Sequence, residues 1–239
     1  MNEEDLGRRT AEELHEAGRL EEAIALYTDL LRTSPNDDEL LTARAAAFIS
    51  IENYDRAVRD AVAAYEINGE NTAAAFNAGL ALDLSGDTNH AVDWFARACE
   101  LEPDFGKAHS GLANAFYDLH LFEQAVDEYE AAASLEPEFD DLYLYWARAL
   151  ARLGRYEEAE RCFEVQFSLD AGSEAEAGIA QMRYLMGDFD TARELLSKAV
   201  RRDPGDHDSL LYLASILRQD GVEAREIEAR LAAVVRSTT

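Results

Sequence analysis

Arginine side chains carry the clearest chemistry in a chain that is otherwise strongly acidic. The 239 residues include 49 Asp and Glu but only 22 Lys and Arg, so the formal net charge is -27. Against that background Arg148, Arg152 and Arg218 stand out, because a guanidinium fork pairs bidentately with a carboxylate or a phosphate. Amide and phenol donors accompany them: Asn114, Tyr117, Gln181 and Tyr184. These residue types predict recognition of an anionic group.

Other reactive residues lack the spacing that a catalytic or metal site requires. Cys99 and Cys162 lie far apart in the chain without a Cys-x-x-Cys spacing, and the five histidines are scattered. Asp203, Asp206 and Asp208 surround a glycine but lack the closing glutamate of a calcium loop. The sequence has no phosphate-binding glycine loop, nucleophile elbow or His-Glu-x-x-His motif. We therefore predict no catalytic residues, no metal ion and no cofactor.

The charge balance bears on the class of partner. A strongly acidic surface repels nucleic-acid phosphates, so we predict no nucleic-acid binding. Only Lys107 and Lys198 are lysines, and this acid-rich, lysine-poor composition resembles that of proteins from salt-rich cytoplasms, where salt screens self-repulsion. The alternative is that the convex face steers a basic partner.

The chain also lacks the usual signals of membrane insertion or export. No stretch approaches the roughly 18 to 20 apolar residues that span a bilayer. The N-terminal Met-Asn-Glu-Glu-Asp has neither the positive nor the apolar region of a signal peptide. We predict a soluble, cytoplasmic protein without a membrane span.

The elements that position these side chains repeat roughly every 34 residues, a period typical of helical-pair repeats. An alanine ladder keeps a constant interval that shortens by one only at its last step: Ala23, Ala57, Ala91, Ala125, Ala159 and Ala192. Residues four positions later and three positions earlier complete the stripe that an amphipathic helix buries. Upstream, a small residue followed three positions later by a bulky one marks another helix, with Ala180 and Arg183 breaking the rule. Glycines predict the turns between the two helices: Gly18, Gly86, Gly154, Gly187 and Gly221.

Each unit is therefore predicted to form two antiparallel helices and a short link. The predicted helices cover 4–17, 20–33, 38–51, 54–67, 72–85, 88–101, 106–119, 122–135, 140–153, 156–169, 174–186, 189–202, 207–219 and 222–236. We predict a single domain over 1–239, with repeats 4–37, 38–71, 72–105, 106–139, 140–172 and 173–206 and a degenerate seventh repeat or cap over 207–239. The cap is predicted to bury Ile227, Leu231, Val234 and Val235.

The units resemble the tetratricopeptide repeat family. The third unit carries Gly79, Leu82, Gly86, Ala91, Phe95, Ala98, Leu101 and Pro103 in the family's order, and the fourth carries Leu112, Phe116, Phe122, Ala125, Tyr129, Ala132, Leu135 and Pro137. The resemblance implies an all-α, right-handed superhelical solenoid of about 14 helices, whose first helices line a concave groove. It also implies a non-enzymatic scaffold or adaptor that holds a protein, peptide or partner helix in that groove.

Helical phase predicts which side chains line the groove. Units two and three offer apolar residues: Ile49, Phe76, Leu80 and Leu84. Units four to seven offer polar ones: Asn114, Tyr117, Arg148, Arg152, Gln181, Tyr184 and Arg218. We hypothesise that a peptide binds with an acidic or C-terminal carboxylate group against the arginines. The alternative is that Arg148 and Arg152 merely pair with neighbouring carboxylates and that the apolar residues pack under the next repeat.

Two other functions stay open at this stage. The first is a self-associating structural scaffold, although we predict a monomer. The second is an accessory subunit of an enzyme or secretion assembly. The charge clamp by which co-chaperones of this family hold chaperone tails needs lysine and asparagine early in successive first helices. Only Lys107 and Asn114 correspond to it, so we do not predict that activity.

Overall fold

The computed structural model describes residues 3–136, 141–170, 173–219, 227–229 and 232. Within these residues the regular elements are helices, and no strand occurs. In chain order they are α1 (Glu3–Glu16), α2 (Leu20–Thr33), α3 (Asp38–Ser50), α4 (Tyr54–Ile67), α5 (Thr72–Leu84), α6 (Thr88–Leu101), α7 (Gly106–Asp118), α8 (Phe122–Leu135), α9 (Leu142–Arg152), α10 (Tyr156–Asp170), α11 (Ser173–Leu185), α12 (Phe189–Arg202) and α13 (His207–Gln219). The all-α prediction is confirmed.

The predicted helix bounds agree with these helices to within two residues at each end. The exception is the last predicted helix, 222–236, most of which lies outside the described residues. The predicted turn at Gly221 and the predicted buried residues Leu231, Val234 and Val235 also lie outside them. Ile227 is described, and it packs half-buried against a cluster that includes Leu213 and Ile216.

The chain groups into two compact units. The N-terminal unit, residues 1–136, holds α1 to α8, and the C-terminal unit, residues 137–239, holds α9 to α13. Within each unit every helix packs against the next one along the chain. First helices of successive pairs also touch: α1 with α3, α3 with α5, α5 with α7, and α11 with α13. Such stacking buries surface that a single pair leaves exposed, while one domain over 1–239 stays a prediction.

The alanine ladder lies at the centre of this packing. All six of its alanines are 0% exposed, and the residues four positions later are buried with them: Tyr27, Ala61, Phe95, Tyr129, Phe163 and Leu196. Small residues let the helices approach closely, and the rings fill the space between them. At Gly79 the approach is close, because an added Cβ would lie 2.8 Å from Cδ1 of Phe95.

The prediction that the residues three positions before the alanines share the buried stripe is wrong. Leu20, Tyr54, Thr88, Phe122 and Tyr156 are half-buried, and Phe189 is 38% exposed. Each of them is the first residue of its helix, at the edge of the packed layer. There Phe122 and Phe189 pack against rings of the preceding helix, with centroids 5.5 Å from Tyr117 and 5.4 Å from Tyr184.

Left-handed residues end the first helices, as the glycines predict. Gly18, Gly86, Gly154 and Gly187 have φ values of 71°, 90°, 75° and 84°. At the equivalent turns of the second and fourth repeats, Glu52 and His120 adopt φ values of 60° and 61°. A side chain with a Cβ is strained in this conformation. The backbone of these two turns therefore follows the repeat even where the sequence lacks glycine.

Candidate functional site

The predicted apolar groove residues lie on α3 and α5 of the N-terminal unit, two first helices that touch each other. Phe76 is half-buried, with its ring centroid 5.7 Å from that of Phe95 and 5.2 Å from that of Phe105. Leu80 packs against the buried cluster that contains Phe95, and Ile49 packs against another cluster. These three side chains therefore belong partly to the core, as the alternative interpretation allowed.

Leu84 differs from them because it is 49% exposed. It lies at the end of α5 and lines an open cavity of about 490 Å³, whose other wall is the turn from α3 to α4. That wall is formed by Ile51, Glu52, Asn53, Tyr54 and Asp55. A contiguous exposed apolar patch marks a surface that a partner covers, so Leu84 matters together with its apolar neighbours on the first helices.

Carboxylates flank Leu84. Burial raises the pKa of Asp83, a hydrogen bond with Thr88 lowers it, and the negative charge of Asp118 on α7 raises it further, so that the pKa lies above its ordinary value. Asp118 itself is exposed. The two carboxylates thus repel each other, and Asp83 is the residue before Leu84 in the chain. We call Leu80, Asp83, Leu84 and Asp118 the acidic-apolar face.

Asn114 and Tyr117 lie on α7 of the same unit. The Asn114 Oδ1 atom accepts a hydrogen bond from the hydroxyl of the buried Tyr129 at 2.6 Å. The half-buried ring of Tyr117 lies with its centroid 5.5 Å from that of Phe122. Neighbouring side chains therefore hold both residues in place, which lowers the entropy that a partner's contact with them would cost.

The other predicted polar residues belong to the C-terminal unit. Arg148 and Gln181 line a cavity of about 370 Å³, whereas Arg152, Tyr184 and Arg218 lie elsewhere in the unit. Arg148 forms an ion pair with Glu174, and its guanidinium lies 5.3 Å from the centroid of the Tyr145 ring. The alternative interpretation, pairing with a neighbouring carboxylate, therefore holds for Arg148.

Two further residues of this set have partners within the unit. The Tyr184 hydroxyl lies 2.9 Å from Oγ of Ser215, which joins α11 to α13. The Arg218 Nε atom donates to the carboxylate of Glu228 at 2.8 Å. Both contacts are compatible with binding, but a ligand of Arg218 has to compete with Glu228.

Carboxylates outnumber guanidinium groups in the wall of the 370 Å³ cavity. Arg148 faces Glu174, Asp203, Asp206 and Asp208. Asp206 caps the start of α13, because its Oδ1 accepts hydrogen bonds from the backbone N–H groups of Asp208 and Ser209 at 3.1 and 3.2 Å. A carboxylate ligand must therefore displace Glu174 from Arg148 to bind in this cavity.

Comparison with known families accounts for the arrangement of helix pairs. Models described as tetratricopeptide repeat match residues 72–105, 110–165 and 178–238, which together are more than half of the chain. The chain belongs to the tetratricopeptide repeat family. The resemblance identified from the sequence is thereby confirmed. Proteins of this family are protein-interaction scaffolds and are typically non-enzymatic.

Individual tetratricopeptide proteins are similar over different extents. Hsc70-interacting protein 1 of Drosophila melanogaster is 33% identical over 86 residues, which are 36% of this chain and 23% of that protein. The chain spans less than a quarter of the length of the curated relatives that it matches.

Solved tetratricopeptide structures cover more of the chain. YrrB, described as a TPR protein with an unusual peptide-binding site, has a TM-score of 0.71 at 19% identity, over 77% of this chain and 95% of its own. PilF of Pseudomonas aeruginosa has a TM-score of 0.75 at 17% identity, over 89% of this chain and 97% of its own. At such identities the similarity shows the fold alone. Among the helices described for this tetratricopeptide chain, none is long and apolar enough to cross a membrane.

Sequence reasoning missed two groups of residues that the structure brings together. One is the carboxylate pair Asp83 and Asp118, whose positions about one repeat apart predict only a shared face. The other consists of Cys99, His109 and Glu128, whose donor atoms all lie within 4.8 Å of one another although they come from α6, α7 and α8. The repeat period contains the signal for the second group, because the three positions recur as neighbours in adjacent repeats.

Proposed function

We propose that this tetratricopeptide chain is a non-enzymatic interaction module that binds a peptide or partner helix across the first helices of its N-terminal unit. The observation that carries the proposal is Leu84, which is 49% exposed on the first-helix side of a cavity of about 490 Å³. Leu80 on α5 and Ile49 on α3 are half-buried and add the exposed parts of their apolar side chains. An amphipathic helix or an extended peptide buries such a surface through a few apolar anchors.

The charge of the acidic-apolar face favours a partner with basic side chains. Asp83 and Asp118 repel each other, as the raised pKa of Asp83 indicates after the effect of burial. A lysine or arginine of the partner relieves this repulsion while its apolar neighbours cover Leu84. The net charge of -27 also speeds the approach of a basic segment, an effect that salt weakens.

A displayed library of random peptides tests this proposal. The enriched peptides are synthesised, and their affinities are measured by fluorescence polarisation for the unmodified protein and for Leu84→Glu. We expect basic and apolar residues side by side in these peptides, and a loss of at least tenfold in affinity, about 1.4 kcal/mol. The matched control is Ile67→Glu, because Ile67 is 43% exposed but lies at the end of α4, a second helix.

The controls decide how a negative result is interpreted. Circular dichroism establishes that both variants keep the helical content of the unmodified protein. If Leu84→Glu and Ile67→Glu change the affinities equally, the acidic-apolar face is not the binding surface. If the library yields no enriched peptide, the proposal of a peptide-binding module fails as a whole.

For the C-terminal unit we propose a separate contact with an acidic or carboxylate-bearing segment. Arg148 and Gln181 line its cavity, and Arg152, Tyr184 and Arg218 supply further polar groups in the same unit. The support is the chemistry of the guanidinium group, which binds carboxylates bidentately. Because Glu174 already occupies Arg148, we expect this contact to be weaker than binding at the acidic-apolar face.

A further inference from the structure

We propose that Cys99, His109 and Glu128 form a zinc-binding site at the junction of the third and fourth repeats. The thiol sulfur, a ring nitrogen and a carboxylate oxygen lie within 4.8 Å of one another, and all three residues are half-buried. They belong to three consecutive helices, α6, α7 and α8. Sulfur, nitrogen and oxygen donors together suit Zn2+, a borderline-soft cation.

The hydrogen bonds of His109 orient the ring for this role. Its Nε2 atom lies 3.1 Å from the carbonyl oxygen of Pro103, which can only accept, so Nε2 carries a hydrogen and donates it. In the neutral ring Nδ1 then presents a lone pair, and it lies 2.6 Å from Oε2 of Glu128, which is another acceptor. Two acceptors at this distance require a proton or a cation between them. Zinc-binding histidines commonly donate their other N–H to a backbone carbonyl in this way.

Adjacent repeats do not carry this set of three residues. The equivalent positions one repeat earlier hold Tyr65, Ala75 and Trp94. The rings of Tyr65 and Trp94 touch there, with centroids 5.2 Å apart, so these positions are neighbours by the geometry of the repeat. The equivalent positions one repeat later hold Ala133, Tyr143 and Cys162. Of these three junctions, the one between the third and fourth repeats combines a thiol, an imidazole and a carboxylate.

The distances fit a zinc ion after small side-chain movements. Zinc bonds of about 2.0 to 2.3 Å place tetrahedral donors roughly 3.3 to 3.7 Å apart. Binding of zinc therefore requires His109 and Glu128 to separate by about 1 Å and Cys99 to approach them. The thiol gives up its proton to solvent as the sulfur–zinc bond forms. Water takes the fourth position, since the site supplies three protein ligands.

Burial and then the charge of Glu128 raise the pKa of Cys99 to about 12. A zinc ion reverses the electrostatic relation, because the same carboxylate that disfavours a thiolate becomes a ligand beside it. A bound cation thus links α6, α7 and α8 to one another.

Titration of the full chain with Zn2+ and with Co2+ tests the site. We expect one equivalent of metal to bind, a rise in melting temperature with Zn2+, and a sulfur-to-cobalt charge-transfer band with Co2+. Cys99→Ala and His109→Ala should each weaken Zn2+ binding at least tenfold, and Cys99→Ala should abolish the band. Alanine occupies the equivalent positions Ala133 and Ala75, so both variants should fold.

Cys162→Ala is the matched control, because Cys162 is the other free thiol and belongs to the C-terminal unit. It should keep the affinity and the cobalt spectrum. Equal Zn2+ affinity in the unmodified protein, Cys99→Ala and His109→Ala overturns the proposal and assigns the metal to surface carboxylates. Absence of binding also overturns it. If stability then falls in Glu128→Gln, the His109–Glu128 pair is held by a proton.

Discussion

Arg183 forms an ion pair with the buried carboxylate of Glu160 and so joins α11 to α10. This ion pair places two charged residues at positions that are apolar in another repeat junction. In the junction of the third and fourth repeats the equivalent residues are Val92 and Phe116, which pack against one apolar cluster. The break in the small-then-bulky rule at Arg183 is therefore matched by a compensating change on the facing helix.

This relationship predicts strong coupling between the two residues. Arg183→Leu leaves Glu160 buried without its cation and should lower the free energy of unfolding by about 3–5 kcal/mol. We expect the lower end of that range, because the Arg183 side chain is 37% exposed. Glu160→Val with Arg183→Leu restores an apolar pair and should recover most of the loss. A double-mutant cycle by urea denaturation measures the coupling, and additive effects would contradict it.

Glu52 offers a test of the left-handed turn. Its φ of 60° is strained for a residue with a Cβ, so Glu52→Gly should stabilise the chain by about 0.5–1 kcal/mol. Glu52→Ala removes the side chain but keeps the Cβ, and it should give no such gain. The denaturant midpoint at an unchanged slope measures both effects. Equal stabilisation by alanine and glycine would locate the effect in the side chain instead.

Asp83 predicts an unusual dependence of stability on pH. Burial and the charge of Asp118 outweigh the hydrogen bond with Thr88 and raise its pKa in the folded chain. The folded state therefore binds the proton more tightly than the unfolded state, and this contribution to stability grows as pH falls through the folded pKa. Asp83→Asn should stabilise the chain at neutral pH, and the gain should shrink towards acid.

Asp37 provides the control of opposite sign. Burial raises its pKa, but hydrogen bonds from Arg8 and from the Leu40 N–H, with the charge of Arg8, lower it more. The stability that ionised Asp37 contributes is present above its unfolded pKa and is lost as pH falls through the folded pKa. Asp37→Asn should therefore destabilise the chain at neutral pH. Melting temperatures across a pH series compare the two variants, and equal signs would contradict the assignment.

The arginines of α9 test the contact proposed for the C-terminal unit. Arg148→Glu with Arg152→Glu should weaken binding of carboxylate-bearing peptides at least tenfold, because two cations become anions beside Glu174. Peptides that depend on Leu84 should bind as before. Arg155→Glu is the control, since Arg155 pairs with Glu158 in the first turn of α10. Unchanged affinity in the double variant would remove the arginines from the site.

Salt separates the two explanations of the acidity. Self-repulsion at a net charge of -27 predicts that the melting temperature rises with NaCl, and a strong rise up to about 1 M favours adaptation to salt. An unchanged melting temperature favours a surface that steers a basic partner. Measurement with NaCl and with sodium sulfate distinguishes screening from the general stabilisation that sulfate provides.

The candidate sites were less predictable than the helices. Helical phase placed Leu84 on the first-helix side, and the side chain is indeed exposed beside a cavity. The same phase placed Arg148 in a groove but did not indicate that Glu174 pairs with it. Sequence spacing alone predicts which residues share a helix face. The partner of a long charged side chain depends instead on which group of the next repeat lies within contact distance.

The sequence by itself determined the bounds of the described helices, the glycine turns up to Gly187 and the buried ladder of alanines, because a regular repeat imposes the same local contacts on each helix pair and its neighbours. Tertiary structure decided which exceptions to the repeat meet. Glu160 pairs with Arg183, and Cys99 lies near His109 and Glu128. The spacing of residues in the sequence does not specify how these helices are rotated relative to one another. The ion pair and the proposed zinc site both lie at such junctions, where residues that depart from the repeat come together from two or three helices.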